Sequence, residues 1–213
     1  MILTMRIEFL SDKPDRAGRY TVRFDNGATL RLYRQTVEDY ALFPGKELTD
    51  EEMAALRTDA GQMSAKMRAV RIVSASSVSK SDLQQRLIRK GEDPQQALEA
   101  VQWMAELNLV DDRQTAEQLV NRCISRGYGL AKAKQVLYEK RIPKQYWQEV
   151  LENYPDQTEK IVAFLRTRLR NGADERERKR AIDALVRRGH NYSKIRSAMR
   201  LLDLDEIPED YDG

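Results

Sequence analysis

Met5, Ile7 and Phe9 alternate with polar neighbours, as do Tyr20, Val22 and Phe24 and then Leu30 and Leu32. A period of two is that of a half-buried strand, so three strands are predicted within the first forty residues. Asn26-Gly27 lies between the second and third runs, and its ease at positive φ suits a type I′ hairpin turn. The period changes at Thr49-Asp50-Glu51-Glu52, a capping box that opens a helix carrying Met53 and Leu56. Gly61 is expected to interrupt that helix, after which Met63, Met67, Val70 and Val73 recur at helical spacing up to a Ser-rich stretch at residues 74–81.

Beyond Ser79 the periodicity is helical throughout, punctuated by Gly91, Pro94, Gly127, Gly129, Pro143, Pro155, Gly172 and Gly189. Helices are predicted near 80–90, 94–107, 112–126, 130–140, 143–153, 157–171, 174–188 and 191–202. Leu87 to Gly91, Leu137 to Arg141 and Leu185 to Gly189 resemble one another, and ten and fourteen residues after each leading Leu stand further apolar residues. These are Ala97, Trp147 and Ile195, then Val101, Leu151 and Met199, on one helix face. The predicted fold is mainly α: tandem three-helix repeats in an elongated, right-handed-type array after a small N-terminal β-rich domain. The alternative is a compact bundle in which the repeats are relics of duplication. The predicted parts are an N-terminal β-hairpin/α domain at 1–62, a connecting helix or linker at 63–78, three-helix repeats at 79–127 and 128–172, a truncated third repeat at 173–202, and an acidic tail at 203–213.

Charge sharpens this picture. The net charge of +3 conceals a segment, 156–202, with 13 basic and 6 acidic side chains, followed by six acidic and no basic ones in 203–213. A basic segment of that strength points to a polyanion, against the alternative that Lys and Arg merely solvate helix faces. No apolar run approaches the roughly 18 residues of a membrane span, and no export signal is recognisable at the start. Cys123 is the single cysteine and His190 the single histidine, which rules out an internal disulfide and a Cys/His zinc cluster. A cytoplasmic setting is expected.

Catalytic chemistry is poorly supplied. Gly45-Lys46 is followed by Glu47 and Gly127-Tyr128-Gly129 follows no strand, so neither is a phosphate-cradling loop. Cys123 shares an apolar helix row with Leu119 and Val120 and reads as an inert buried thiol. Asp111-Asp112 directly precedes a helix, where capping is favoured over metal binding or acid–base work. Tyr128 is placed either to stack on a base or to fill the seam between repeats. The protein is therefore expected to be no enzyme and to need no cofactor or metal. The candidate binding residues are cations: Arg86, Arg89, Lys90, Arg113, Arg122, Arg126, Lys132, Lys134, Lys140, Arg141, Arg166, Arg170, Arg176, Arg178, Lys179, Arg180, Arg187 and Arg188, together with Tyr128. Arg122 and Arg126 converge with Lys132 and Lys134 if the glycine turn between them is tight.

Three stretches carry a family likeness. They are Ser79-Lys80-Ser81-Asp82-Leu83 through Leu87 and Lys90-Gly91; Leu107-Asn108-Leu109-Val110-Asp111-Asp112-Arg113 with Ala116; and Gly127-Tyr128-Gly129 with Lys132, Val136, Leu137, Lys140 and Ile142. Together they span about residues 68–202 and resemble the regulatory protein RecX family, modulators of the RecA recombinase. The chain departs from the pattern at Thr115, Leu130 and Arg141, where Phe, Pro and Gly are usual. The N-terminal strands look like the extension of longer members. The resemblance implies a monomeric, non-enzymatic regulator, mainly an inhibitor, acting in DNA repair, homologous recombination and the SOS response. It would bind RecA filaments on single-stranded DNA, touch single- and secondarily double-stranded DNA, and suppress ATP hydrolysis and strand exchange. On this reading Asp111, Asp112, Gly127 and Gly129 are structural. The alternative is an autonomous, sequence-independent DNA-binding helical protein.

Overall fold

The computed structural model describes residues 4–169 and 174–202. The chain divides at Val110/Asp111 into two compact units. The first opens with β1 (Thr4–Leu10), β2 (Arg19–Phe24), β3 (Thr29–Tyr33), α1 (Arg34–Asp39) and β4 (Glu47–Thr49). The sheet is antiparallel in the order β3-β2-β1-β4. There are thus four strands rather than three: β4 is a three-residue edge strand, too short for its alternation to register, with Leu48 opposite Met5. The β2–β3 hairpin is present, but its turn is not type I′. Gly27 alone adopts positive φ, at 79°, its N–H bonds the Phe24 carbonyl, and the Phe24 N–H bonds the Ala28 carbonyl, which makes a type I turn followed by a glycine bulge.

Helix α2 (Asp50–Ala75) starts at the expected capping box, with Thr49 Oγ1 accepting from the Glu52 N–H and Glu52 Oε2 from the Thr49 N–H. It runs straight through Gly61, contrary to the expected interruption. A Cβ at Gly61 would meet only the far end of the flexible Gln96 side chain, with Cδ 2.7 Å away. One continuous helix of 26 residues, about 39 Å long, therefore serves two cores. Its first turns bury Met53 and Leu56 with Ile7, Val22, Phe24, Leu32 and Leu48 from the sheet. Its later turns bury Ala65, Ala69 and Ile72 against α3 (Lys80–Arg89) and α4 (Pro94–Glu106). Small residues on α2 admit Leu83, Leu87, Ala97, Val101 and Met104 closely. The Arg68 guanidinium meets the buried Glu92 carboxylate at 2.8 Å, and Ser64 Oγ donates to the same carboxylate.

The second unit contains α5 (Asp112–Ser125), α6 (Leu130–Glu139), a 3₁₀ turn at Lys144–Tyr146 leading into α7 (Trp147–Leu151), α8 (Thr158–Arg168), α9 (Glu175–Arg187) and α10 (Tyr192–Arg200). The helix predicted over 143–153 is thus a 3₁₀ turn and one and a half α-turns. Two cores form here. Ala116, Leu119, Val120, Leu137 and Ile142 gather α5 and α6 with Trp147 and Leu151 of α7. Ile161, Leu165, Ala181, Ile182, Leu185, Ile195, Ala198 and Met199 gather α8, α9 and α10. The sequence repeats begin at 79, 128 and 173, whereas each three-helix core begins one helix earlier, with α2, α5 or α8 leading. Arg170 and the acidic tail lie outside the described residues.

Candidate functional site

The repeated Leu-x-x-x-Gly spacing is a helix ending. At the close of α3, α6 and α9 the residue four past the leading Leu is left-handed: Gly91 at φ 89°, Arg141 at 55° and Gly189 at 81°. The N–H of each next residue, Glu92, Ile142 and His190, bonds back to the carbonyl of Leu87, Leu137 or Leu185 at 3.0–3.2 Å, closing a Schellman cap. Those three leucines are all buried. The motif reverses the chain three times in the same way and leaves Lys90, Lys140 and Arg188 at equivalent helix ends, where a cation meets the negative end of the dipole.

Gly127-Tyr128-Gly129 forms the seam between the two cores of the second unit. The Gly129 N–H donates to the Arg188 carbonyl at 2.9 Å, and Gly129 packs directly on the backbone of Gly189 and His190, leaving no room for a Cβ. Reciprocally, a Cβ at Gly189 would overlap the backbone of Lys132. His190 is buried, and its Nε2–H donates to the Gly127 carbonyl at 2.9 Å. Burial pushes the imidazole below its ordinary pKa, against the raising effect of that bond, and Arg188 and Lys194 push the same way as burial. A neutral, structural histidine results. Tyr154 donates its hydroxyl to the Tyr128 carbonyl at 2.7 Å, and burial raises its pKa to about 12. Tyr128 itself is half-buried in this seam.

Within the second unit the cations fall into separate groups. Arg86 pairs with the buried Asp82 at 2.8 Å, and Arg113 pairs with Glu117 and with Glu149, tying α5 to α7, so both are neutralised. Arg89 and Lys90 are exposed in the first unit. Arg122, Arg126 and Lys132 lie close enough around Cys123 to act on its thiol, which burial pushes up in pKa and those cations pull down. Lys134 turns elsewhere. It lines a cleft of about 430 Å³ with Tyr154, His190, Asn191 and Lys194, and a neighbouring one of about 450 Å³ with Lys144, Trp147 and Leu151. The tight turn thus separates Lys132 from Lys134 instead of gathering all four. Asp111 caps α5, accepting the Gln114 N–H at 2.7 Å, and Asp112 is buried beside it.

Lys140, Arg178 and Arg188 are half-buried, whereas Arg141, Arg166, Arg176, Lys179, Arg180 and Arg187 are exposed. Arg180 and Arg187 of α9 share a third cleft, of about 430 Å³, with Phe164 and Arg168 of α8, and Arg188 stacks on the same ring. Phe164 and Arg168 were missed by the sequence reading. Their spacing of four on one helix was the available signal, hidden because Phe164 reads as one more core residue beside Ile161 and Leu165. Among the described residues no cluster of three or more His, Cys, Asp or Glu side chains suits a metal ion, and no helix is long and apolar enough to cross a membrane.

No family model matches the sequence. Individual relatives do. The chain is 30% identical over 154 residues to Regulatory protein RecX of Halorhodospira halophila, covering 70% of this chain and 96% of that protein. The chain belongs to the RecX family of regulatory proteins. It is also 30% identical to RecX of Chromohalobacter salexigens over 62% of its own length and 88% of the relative. RecX of Clostridioides difficile matches at 26% over 97% and 99%, so the likeness extends through the N-terminal strands. Two solved RecX structures share the fold. One covers 93% of this chain and 98% of its own at a TM-score of 0.58 and 20% identity. The other, from Lactobacillus salivarius, covers 68% and 97% at 0.55 and 21%.

Proposed function

We propose that this protein is a regulator of the RecA recombinase that binds along RecA filaments on single-stranded DNA and suppresses ATP hydrolysis and strand exchange. It acts as a cytoplasmic monomer, without catalysis of its own, in DNA repair and recombination. The observation that carries this reading is the match to a RecX protein across almost its whole length. The chemistry agrees: helix ends and helix faces present exposed arginines, while the one histidine and the one cysteine are buried in packing roles. Several weak cationic contacts from successive three-helix cores combine through effective concentration when they meet a repeating partner.

The test compares binding to a labelled oligonucleotide alone with binding to the same oligonucleotide coated by RecA and a non-hydrolysed ATP analogue, at rising salt. Contacts to bare phosphates weaken with a slope of about −0.7 per phosphate neutralised. Filament binding that persists after bare-strand binding is lost supports the proposal. Filament binding that disappears in step with bare-strand binding assigns the protein to the other class, autonomous DNA binders.

A further inference from the structure

Phe164 sits half-buried on α8 with two guanidinium groups over its ring. The Cζ atom of Arg188 lies 4.7 Å from the ring centroid and that of Arg168 lies 5.6 Å away. A guanidinium held over a ring by cation–π attraction keeps N–H donors available for another partner. Arg180 and Arg187 line the same cleft. None of these four arginines makes an ion pair or a side-chain hydrogen bond among the described residues. The one carboxylate in the cleft, Glu177, is held by the α9 capping box, where Oε2 accepts the Asp174 N–H at 3.3 Å.

We propose that the cleft between α8 and α9, lined by Phe164, Arg168, Arg180 and Arg187 with Arg188 over the Phe164 ring, is a binding site for the phosphodiester backbone of single-stranded nucleic acid. This deepens the proposed function, adding a contact to the DNA strand that the filament covers, and rests on that reading. Three arginines against one carboxylate line the cleft, with a fourth over its ring, so the cleft attracts an anion. Guanidinium edges held in place by an aromatic face suit the paired oxygens of a phosphate, which they engage two at a time. Contact with the ring also lowers the ordering cost of the long Arg168 and Arg188 side chains. A single strand is favoured over a folded acidic surface because an aromatic ring rimmed by arginines also offers a face on which a base can stack once a guanidinium slides aside.

The experiment is fluorescence anisotropy of a labelled oligo(dT) with the full chain, in the absence of RecA, across a salt series. The Arg168→Ala/Arg187→Ala variant changes two exposed side chains and is expected to bind roughly tenfold more weakly at low salt, with the salt slope reduced by about 1.4, two phosphates' worth. Phe164→Leu keeps apolar volume but removes the ring face; it is expected to weaken binding several-fold with the slope unchanged. Arg57→Ala, an exposed change in the first unit, is expected to bind like the parent. Parental affinity and slope in the double arginine variant would overturn the proposal, even if Phe164→Leu fails to fold. An equal loss in Arg57→Ala would overturn it too, since the attraction would then be diffuse. If the double variant keeps oligonucleotide binding but loses binding to RecA filaments, the cleft belongs to an acidic protein surface, and the regulatory reading stands without it.

Discussion

A methyl group on Gly129 would occupy the space of the Gly189 backbone, whereas one on Gly61 would meet only the end of the Gln96 side chain. Neither glycine has a left-handed backbone, so the difference lies in what they touch and in their place, Gly61 inside α2 and Gly129 at an extended N-cap. Gly129→Ala is therefore expected to lower stability by at least about 2 kcal/mol, because two backbones must part and the Gly129-to-Arg188 bond must stretch. Gly61→Ala is expected to raise it by about 0.5 kcal/mol: alanine favours the α2 interior by up to about 1 kcal/mol and the flexible amide of Gln96 swings away at small cost. Urea midpoints at unchanged slope measure both. Equal effects at the two sites would contradict the packing described.

At the scale of helices, the three Schellman caps explain why the repeat is legible at all. Leu87, Leu137 and Leu185 must be buried and the fourth residue on must be left-handed, so the chain rewrites the same few letters near residues 90, 140 and 188. Arg141 breaks the rule in sequence but not in conformation, holding φ 55° with a Cβ that a glycine would not have. Arg141→Gly is expected to gain about 0.5–1 kcal/mol, read as a higher melting temperature, since relief of the left-handed strain outweighs the added chain entropy. A fall would mean that contacts of the arginine side chain outweigh the strain. Helix periods, the capping box and the repeat were all readable because each is local. What was not readable depends on distant partners. Gly61 looks like a breaker until Gln96 is seen beside it, Gly129 looks like a loop residue until Gly189 is found sixty residues on, and Phe164 looks like plain core until two arginines lie over it. The edge strand at Glu47–Thr49 is simply too short to show a period.

For the whole molecule, the picture is of a small sheet and three helical cores that place cations at helix ends and along α9, with buried Ser79, Asp82, Glu92 and His190 committed to a cap, two ion pairs and the glycine seam. On the proposed reading such a molecule acts by occupying a partner. The claim that this partner is the RecA filament is tested most directly by the DNA-dependent ATPase of preformed RecA filaments, titrated with the protein far below one molecule per recombinase and with DNA in excess. Inhibition at those low ratios is predicted, since a bound regulator affects neighbouring subunits or a growing end while competition for abundant DNA does nothing. Full ATPase activity until the protein is present in amounts that saturate the DNA would contradict it.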